Sequence, residues 1–309
     1  LRSVGAVVIL AFYSPTIIAY FLWQAVVSIL TLIIFARIVY KILPAGTRPG
    51  RFSRFELIQA WPFAAGMLAT TSLALLLTHL DKFILSKVLP LEEFGRYNFA
   101  SAAAASILLF ITPIPQAYFP KLTEIFSSND VSPAKQCFHR GAQLVTVISG
   151  TAACMVFYFG ENLLTIWTGD STLGATVGWL LKVMTLGTML NSFTSMPFLL
   201  PLACGNSSLN AKINLVAVFF LAPANLLITP IFGATGAAWI WVALNLGYLI
   251  IAKHFMFKMM LYSERGKWLM LDVVQPFSAS LASAGIFWLV KPEFSSVIYE
   301  VLYLGAAGF

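Results

Sequence analysis

Apolar residues in this chain fall into long runs separated by short polar stretches. A run of about 20 apolar residues makes a helix long enough to cross roughly 30 Å of hydrocarbon. The pattern predicts about ten helical segments. The tail of one covers 3–13. Full spans follow at 16–40, 56–80, 95–119, 138–160, 174–203, 209–230, 233–255 and 271–290, and a last segment starts near 296. The first run is too short to span and the last is cut by the chain end, so the sequence reads as a piece of a longer protein. No cleavable signal peptide is recognisable before the first full span.

Composition agrees with this pattern. The chain is 59% hydrophobic and 10% charged, with a mean hydropathy of +0.86. Soluble domains carry about 25% charged residues. The fold class is therefore all-α, a polytopic membrane protein. The organisation expected is 1–54 as the tail of an N-terminal bundle with a basic linker, 55–255 as a six-helix bundle, and 256–309 as a further, truncated helix pair.

The basic residues set the orientation. If the 37–54 loop is cytoplasmic, 14 of the 19 Lys and Arg residues fall inside. Lys82, Lys87, Arg96, Lys182 and Lys291 fall outside. That asymmetry follows the tendency of positive charge to stay on the cytoplasmic side. The net charge of +7 then reflects topology and anionic headgroups. Nucleic acid is not an expected partner, because the positive residues are scattered over separate loops. Trp and Tyr near span ends, such as Trp23, Trp61, Trp167 and Trp288, read as interfacial belts.

Reactive chemistry is sparse. Cys137, Cys154 and Cys204 show no metal-ligand or disulfide spacing. His79, His139 and His254 never stand three or four residues apart. No metal site or catalytic motif is read from the sequence, and the external loops are too short for a catalytic domain. The chain is not expected to be an enzyme.

Three spans carry a polar face at helical spacing. Gln59, Gly66, Thr70 and Asp81 fall within about 60° on the first. Asn98, Ser101, Ala102, Ala105, Thr112 and Gln116 fall within about 100° on the second. Thr185, Thr188, Asn191, Ser192 and Ser195 fall within about 120° on the third, with Lys182 just beyond its edge. One reading is helix packing through small and weakly polar residues. The other is a hydrated cavity, favoured by the costlier residues Asp81, Lys182, Asn191 and Gln116. A charge at mid-bilayer costs about 2.5–3.5 kcal/mol on insertion scales, so such residues usually face inward. Lys182 is shallow enough to snorkel outward instead, and Asp81 and Lys82 could form a local ion pair. The candidate substrate or ion pathway residues are thus Asp81, Lys82, Lys182, Asn191, Gln116, Asn98 and Gln59.

The same spans hold Pro62, Pro113, Pro115, Pro120, Pro197 and Pro201, which predict kinks. The run Gly233–Ala238 predicts a tight helical hairpin. Asn206-Ser207-Ser208 reads as a helix cap on the cytoplasmic side.

The stretch Leu80–Ala100 is unusually polar between two spans. Leu80-Asp81-Lys82, then Leu91-Glu92-Glu93-Phe94-Gly95, then Tyr97 and Ala100 together resemble the signature of the bacterial polysaccharide exporters. These are the O-antigen flippases of the superfamily that includes multidrug extrusion transporters. Tyr13-Ser14-Pro15-Thr16, Phe119-Pro120-Lys121 and Gly233–Ala238 support the resemblance. It implies two helical bundles that rock about a central cavity, of which this chain is mainly the C-terminal part. It also implies a multi-pass protein of the bacterial inner membrane that moves undecaprenyl-pyrophosphate-linked oligosaccharide by alternating access. The expected partners are that lipid-linked sugar, membrane lipids and the polysaccharide assembly machinery. Lys82 and Lys182 are candidate pyrophosphate partners. Asp81 would orient Lys82 or bind a coupling cation. No cofactor is expected, and coupling to proton or sodium is left open.

Two alternatives remain. A cation-coupled drug exporter should show more buried carboxylates, and only Asp81 lies near a polar stripe. A membrane polysaccharide polymerase or ligase should present a sizeable external loop, which this chain lacks.

Overall fold

A computed structural model describes residues 2–12, 14–42, 52–127, 131–258 and 261–290, together with Tyr303 and Gly305. The described residues are almost all helical and form no strand. They divide into two compact units, Leu1–Leu57 and Ile58–Phe309.

The first unit holds α1 (Arg2–Phe12) and α2 (Ile17–Ile42). Pro15 cannot continue a helix, and Thr16 restarts one by accepting the Ala19 amide through its hydroxyl at 3.3 Å. The two helices approach closely at Gly5. A Cβ there would lie 2.9 Å from Trp23 Nε1.

The second unit begins within α3 (Arg54–Val88). That helix runs eight residues past the predicted end of its span. The stretch after Asp81 is therefore helix, where the sequence reading had a connection between two spans. Pro90 makes the break instead, because its ring disfavours helical backbone at Leu89. Only Leu89 and Pro90 separate α3 from α4 (Leu91–Ala105). Glu92 and Glu93 occupy the first turn of α4, where the helix dipole favours negative charge. A short α5 (Ile107–Ile111) and α6 (Pro113–Ser127) complete this crossing. The helix is interrupted at Ser106 and Thr112, the second break directly ahead of Pro113.

The middle of the unit is a hairpin of α7 (Val131–Thr168) and α8 (Ser171–Ala203). Gly169 turns the chain with φ +72°, and the Asp170 carboxylate caps α8 by accepting the Thr172 amide at 2.8 Å. α8 has the most buried side chains of the unit, so its polar residues lie inside the protein.

Next comes α9 (Ser207–Gly247), opened by the Asn206 side chain accepting from the Leu209 amide at 3.2 Å. The cap expected at Asn206-Ser207-Ser208 is present. Gly233, with φ 57° and ψ −143°, divides α9 into two limbs. These correspond to the two spans expected at 209–230 and 233–255. A π-helical turn (Tyr248–Ala252), α10 (Lys253–Phe257), a 3-10 turn (Tyr262–Glu264), α11 (Arg265–Lys267), a second π turn (Trp268–Val274) and α12 (Gln275–Leu289) end the described fold. Among the described residues, seven helical stretches are long and apolar enough to cross a membrane, and the one over 207–257 contains the Gly233 break. The segment expected from about 296 lies almost wholly outside the described residues.

Among the described residues four apolar clusters pack the unit, two of them large. One joins Phe138, Leu122, Met196, Leu200, Phe257 and Trp268. The other joins Leu85, Tyr97, Ala100, Leu181, Met184, Ala237 and Ala238. Ala237 and Ala238 are fully buried, so the Gly/Ala run acts through close approach of backbones.

Candidate functional site

Asp81 sits near the corner between α3 and α4. The fully buried Tyr97 donates its hydroxyl to Asp81 Oδ2. Asp81 Oδ1 is also buried and accepts no hydrogen bond among the described residues. Lys82 is half-buried and makes no ion pair there either. The local ion pair between Asp81 and Lys82 therefore does not form. Asp81 ties the end of α3 to α4 across the Pro90 corner, and its second oxygen keeps its acceptor capacity free.

Lys182 has a partner that sequence reasoning missed. Its ammonium lies 3.4 Å from Glu161 Oε1, with the two side chains 24% and 57% exposed. Gly174 and Gly178 let α8 close on α7 at this point. A Cβ at Gly178 would stand 2.6 Å from Glu161 Cγ. The carboxylate partly neutralises Lys182 at the outer end of the hairpin.

The three polar stripes have different fates. On α3, Gly66 and Thr70 pack against α9. The Thr70 hydroxyl donates to Gly66 O at 2.8 Å, and Ser207 donates to Phe63 O at 2.9 Å. Gln59 of the same stripe is exposed. On the second span, Asn98 donates to its own helix at Phe94 O, 3.2 Å away, while Thr112 and Gln116 are exposed. Among the described residues, the α8 stripe lines a pocket through Asn191 and Ser195.

That cavity has a volume of about 280 Å³. It is lined by Ala74, Leu77 and Thr78 of α3, Asn191, Thr194, Ser195 and Phe198 of α8, and Asn214, Trp241, Leu244 and Tyr248. None of these residues is charged. Asn191 donates to Asn245 Oδ1 at 2.8 Å, and the fully buried Asn245 donates to Trp241 O at 2.9 Å. Tyr248 donates to Asn214 Oδ1 at 2.9 Å, and Asn214 donates to Thr70 O at 3.2 Å. Ser195 Oγ is buried with no partner among the described residues. Neutral donors and acceptors beside an indole and a phenol suit an uncharged, hydroxyl-bearing group. Of the candidate residues, Asn191 alone lines this cavity; Asp81, Lys82, Lys182, Gln116, Asn98 and Gln59 do not.

A second polar cluster was missed altogether. His139 of α7 contacts Asp272 through Nδ1 and lies 3.4 Å from Glu264 Oε2 through Nε2. Gln143 donates to Asp272 Oδ1 at 2.9 Å. Lys135 and Lys267 reach Glu264 at 2.8 and 3.3 Å. Asp272 and Glu264 are both buried, two carboxylates beyond Asp81, which the sequence reading had placed near a polar stripe. The signal was present in Trp268-Leu269-Met270-Leu271-Asp272-Val273-Val274, where one acid interrupts an apolar run.

Residues 1–126 match the family model described as polysaccharide biosynthesis protein. The match is consistent with a polysaccharide exporter and flippase family, which the Leu80–Ala100 signature resembles. It covers α1 to α6 apart from Ser127, with Gln59, Asp81, Lys82, Tyr97, Asn98 and Gln116. The α8 and α9 residues of the cavity lie beyond it. Neither curated proteins nor solved structures contain a match to the chain.

Proposed function

We propose that this multi-pass membrane protein takes part in moving undecaprenyl-pyrophosphate-linked oligosaccharide from the inner to the outer leaflet of the bacterial inner membrane. The match of residues 1–126 to a polysaccharide biosynthesis family is the observation that carries this reading. It supports a role in polysaccharide biosynthesis or export; the translocation step is our inference. The chemistry is compatible. A glycan head cannot cross hydrocarbon unaided and needs neutral hydrogen-bonding partners, which Asn191, Ser195, Asn214 and Tyr248 offer. Its lipid tail need not leave the membrane.

In this reading the protein is a transporter without an enzymatic step. Residues 1–54 are the tail of a first bundle, and 55–255 form the second bundle. Lys82, with no ion pair among the described residues, is the first candidate for the pyrophosphate. Lys182 shares its charge with Glu161 and is a weaker one. Membrane lipids and the polysaccharide assembly machinery are the proposed partners. A drug exporter needs a carboxylate facing its organic cation, and none lines the cavity.

Expressing the protein in a strain lacking its flippase tests the reading. Surface polysaccharide should return. Asn191→Ala and Lys82→Ala should each lower it at unchanged protein level. Restored drug resistance without restored polysaccharide would refute the proposal.

A further inference from the structure

The inner cluster has a feature that packing alone does not require. Both ring nitrogens of His139 face carboxylate oxygens, Asp272 Oδ2 on one side and Glu264 Oε2 on the other. A neutral imidazole carries one N–H and would aim the lone pair of its other nitrogen at a carboxylate. The imidazolium alone donates to both.

The surrounding charges strengthen this point. Lys135 of α7 and Lys267 of α11 both go to Glu264. Arg265 turns away to His254, and Lys253 stands over the Trp268 ring. Asp272 is fully buried and has only Gln143 and His139 as partners among the described residues. Among the described residues, a protonated His139 is therefore the only cation in contact with Asp272. A buried carboxylate left without a cation is strongly unfavourable.

The two carboxylates belong to one segment. Glu264 ends the 3-10 turn, and Asp272 lies in the π-helical turn Trp268–Val274. π turns inside helices frequently mark functional sites. His139 lies on α7, 133 residues before Asp272 in the chain. Its side chain is 21% exposed, which leaves the ring a path to water.

We infer that His139, Glu264 and Asp272 form a proton-binding site at the inner end of α7, which clamps the Tyr262–Val274 segment to that helix while the proton is held. On deprotonation the proton passes from the imidazolium to water. Asp272 loses its cation, His139 can donate to only one carboxylate, and the segment loosens from α7. Leu261 and Trp268, buried in the apolar cluster with Phe138 and Phe257, keep the segment from leaving entirely. On the orientation set by the basic residues, the site exchanges its proton with the cytoplasm. This inference does not depend on the transported substrate.

Spin labels at Gln136→Cys and Gly266→Cys test it, with Cys137, Cys154 and Cys204 replaced by Ala and the chain in lipid nanodiscs. Both label positions are exposed. Distances are read by electron resonance from about pH 6 to about pH 10, a range that brackets the ordinary histidine titration. The wild-type distance should be short and narrow at low pH, then lengthen and broaden as pH rises. His139→Arg keeps the cation without titration and should stay short throughout. His139→Gln should be long throughout. Asp272→Asn preserves side-chain shape, removes the need for the cation, and should abolish most of the pH response; it decides the matter if His139→Gln does not fold. A wild type that follows His139→Arg across the range would overturn the inference. So would a full pH response surviving in Asp272→Asn.

Discussion

Tyr97→Phe isolates the bond that holds the α3–α4 corner. The substitution removes one oxygen and keeps the ring, so the buried packing around Tyr97 stays filled and no cavity contribution arises. What changes is Asp81. Its Oδ1 already lacks a partner among the described residues, and Oδ2 accepts the Tyr97 hydroxyl. Losing that donor leaves the carboxylate with no hydrogen bond from a described residue. Bonds to a charged group contribute about 1.5–3 kcal/mol. At about 1.4 kcal/mol per factor of ten, the unfolding equilibrium should shift by about 12- to 150-fold. Unfolding in mixed detergent and SDS, followed by far-ultraviolet dichroism, would measure it. The origin of the loss can be checked with Asp81→Asn, which removes the charge. Combined with Tyr97→Phe, it should recover part of the loss, because a neutral amide left unbonded costs less than a carboxylate. The coupling between the two sites should be at least about 1 kcal/mol, as expected for residues in direct contact. A Tyr97→Phe protein within about 0.5 kcal/mol of wild type, the range of ordinary surface changes, would refute the reasoning. So would strict additivity of the two substitutions.

Gly187→Ala would place a Cβ 2.8 Å from Trp241 Nε1 and closer still to Cδ1. Trp241 must then move relative to the cavity it lines, at a cost of about 1–3 kcal/mol typical of overpacking; a lowered melting temperature and altered tryptophan emission are the expected readings. Asp170 concerns the outer turn. The Thr172 hydroxyl first, and then the Leu173 and Thr172 amides, hold its carboxylate below the ordinary range. A depressed carboxylate stabilises the fold above its unfolded value and loses that contribution as pH falls through its folded value. Stability measured by denaturant midpoint should therefore fall between about pH 4 and lower pH, and Asp170→Ala should flatten that part of the curve.

Much of the scaffold was legible along the chain. Long apolar runs specified the spans, and Pro113 and Gly233 marked two of the breaks because each restricts or frees the backbone locally. Local chemistry also located the cap at Asn206. The end of α3 was misread. Asp81 and Lys82 looked like the start of a loop, yet charged residues continue a helix well, and nothing before Pro90 interrupts it.

The candidate site was legible only in part. Helical periodicity correctly grouped residues that share a face, but a face has no meaning until something covers it. Gly66 and Thr70 meet Ser207, 137 residues beyond Thr70, while Gln59 on the same stripe is exposed. Asn191 became a cavity residue through Asn245 and its neighbours, and Lys182 was tempered by Glu161. His139 and Asp272 came into contact because folding brought them together from 133 residues apart in the chain. The sequence by itself determined the membrane class, the helical spans and their punctuation, since hydropathy and backbone restriction act within a few neighbouring residues. Only the tertiary structure decided which polar groups are buried, paired or left open, because burial and hydrogen bonding depend on partners that the chain supplies from far away.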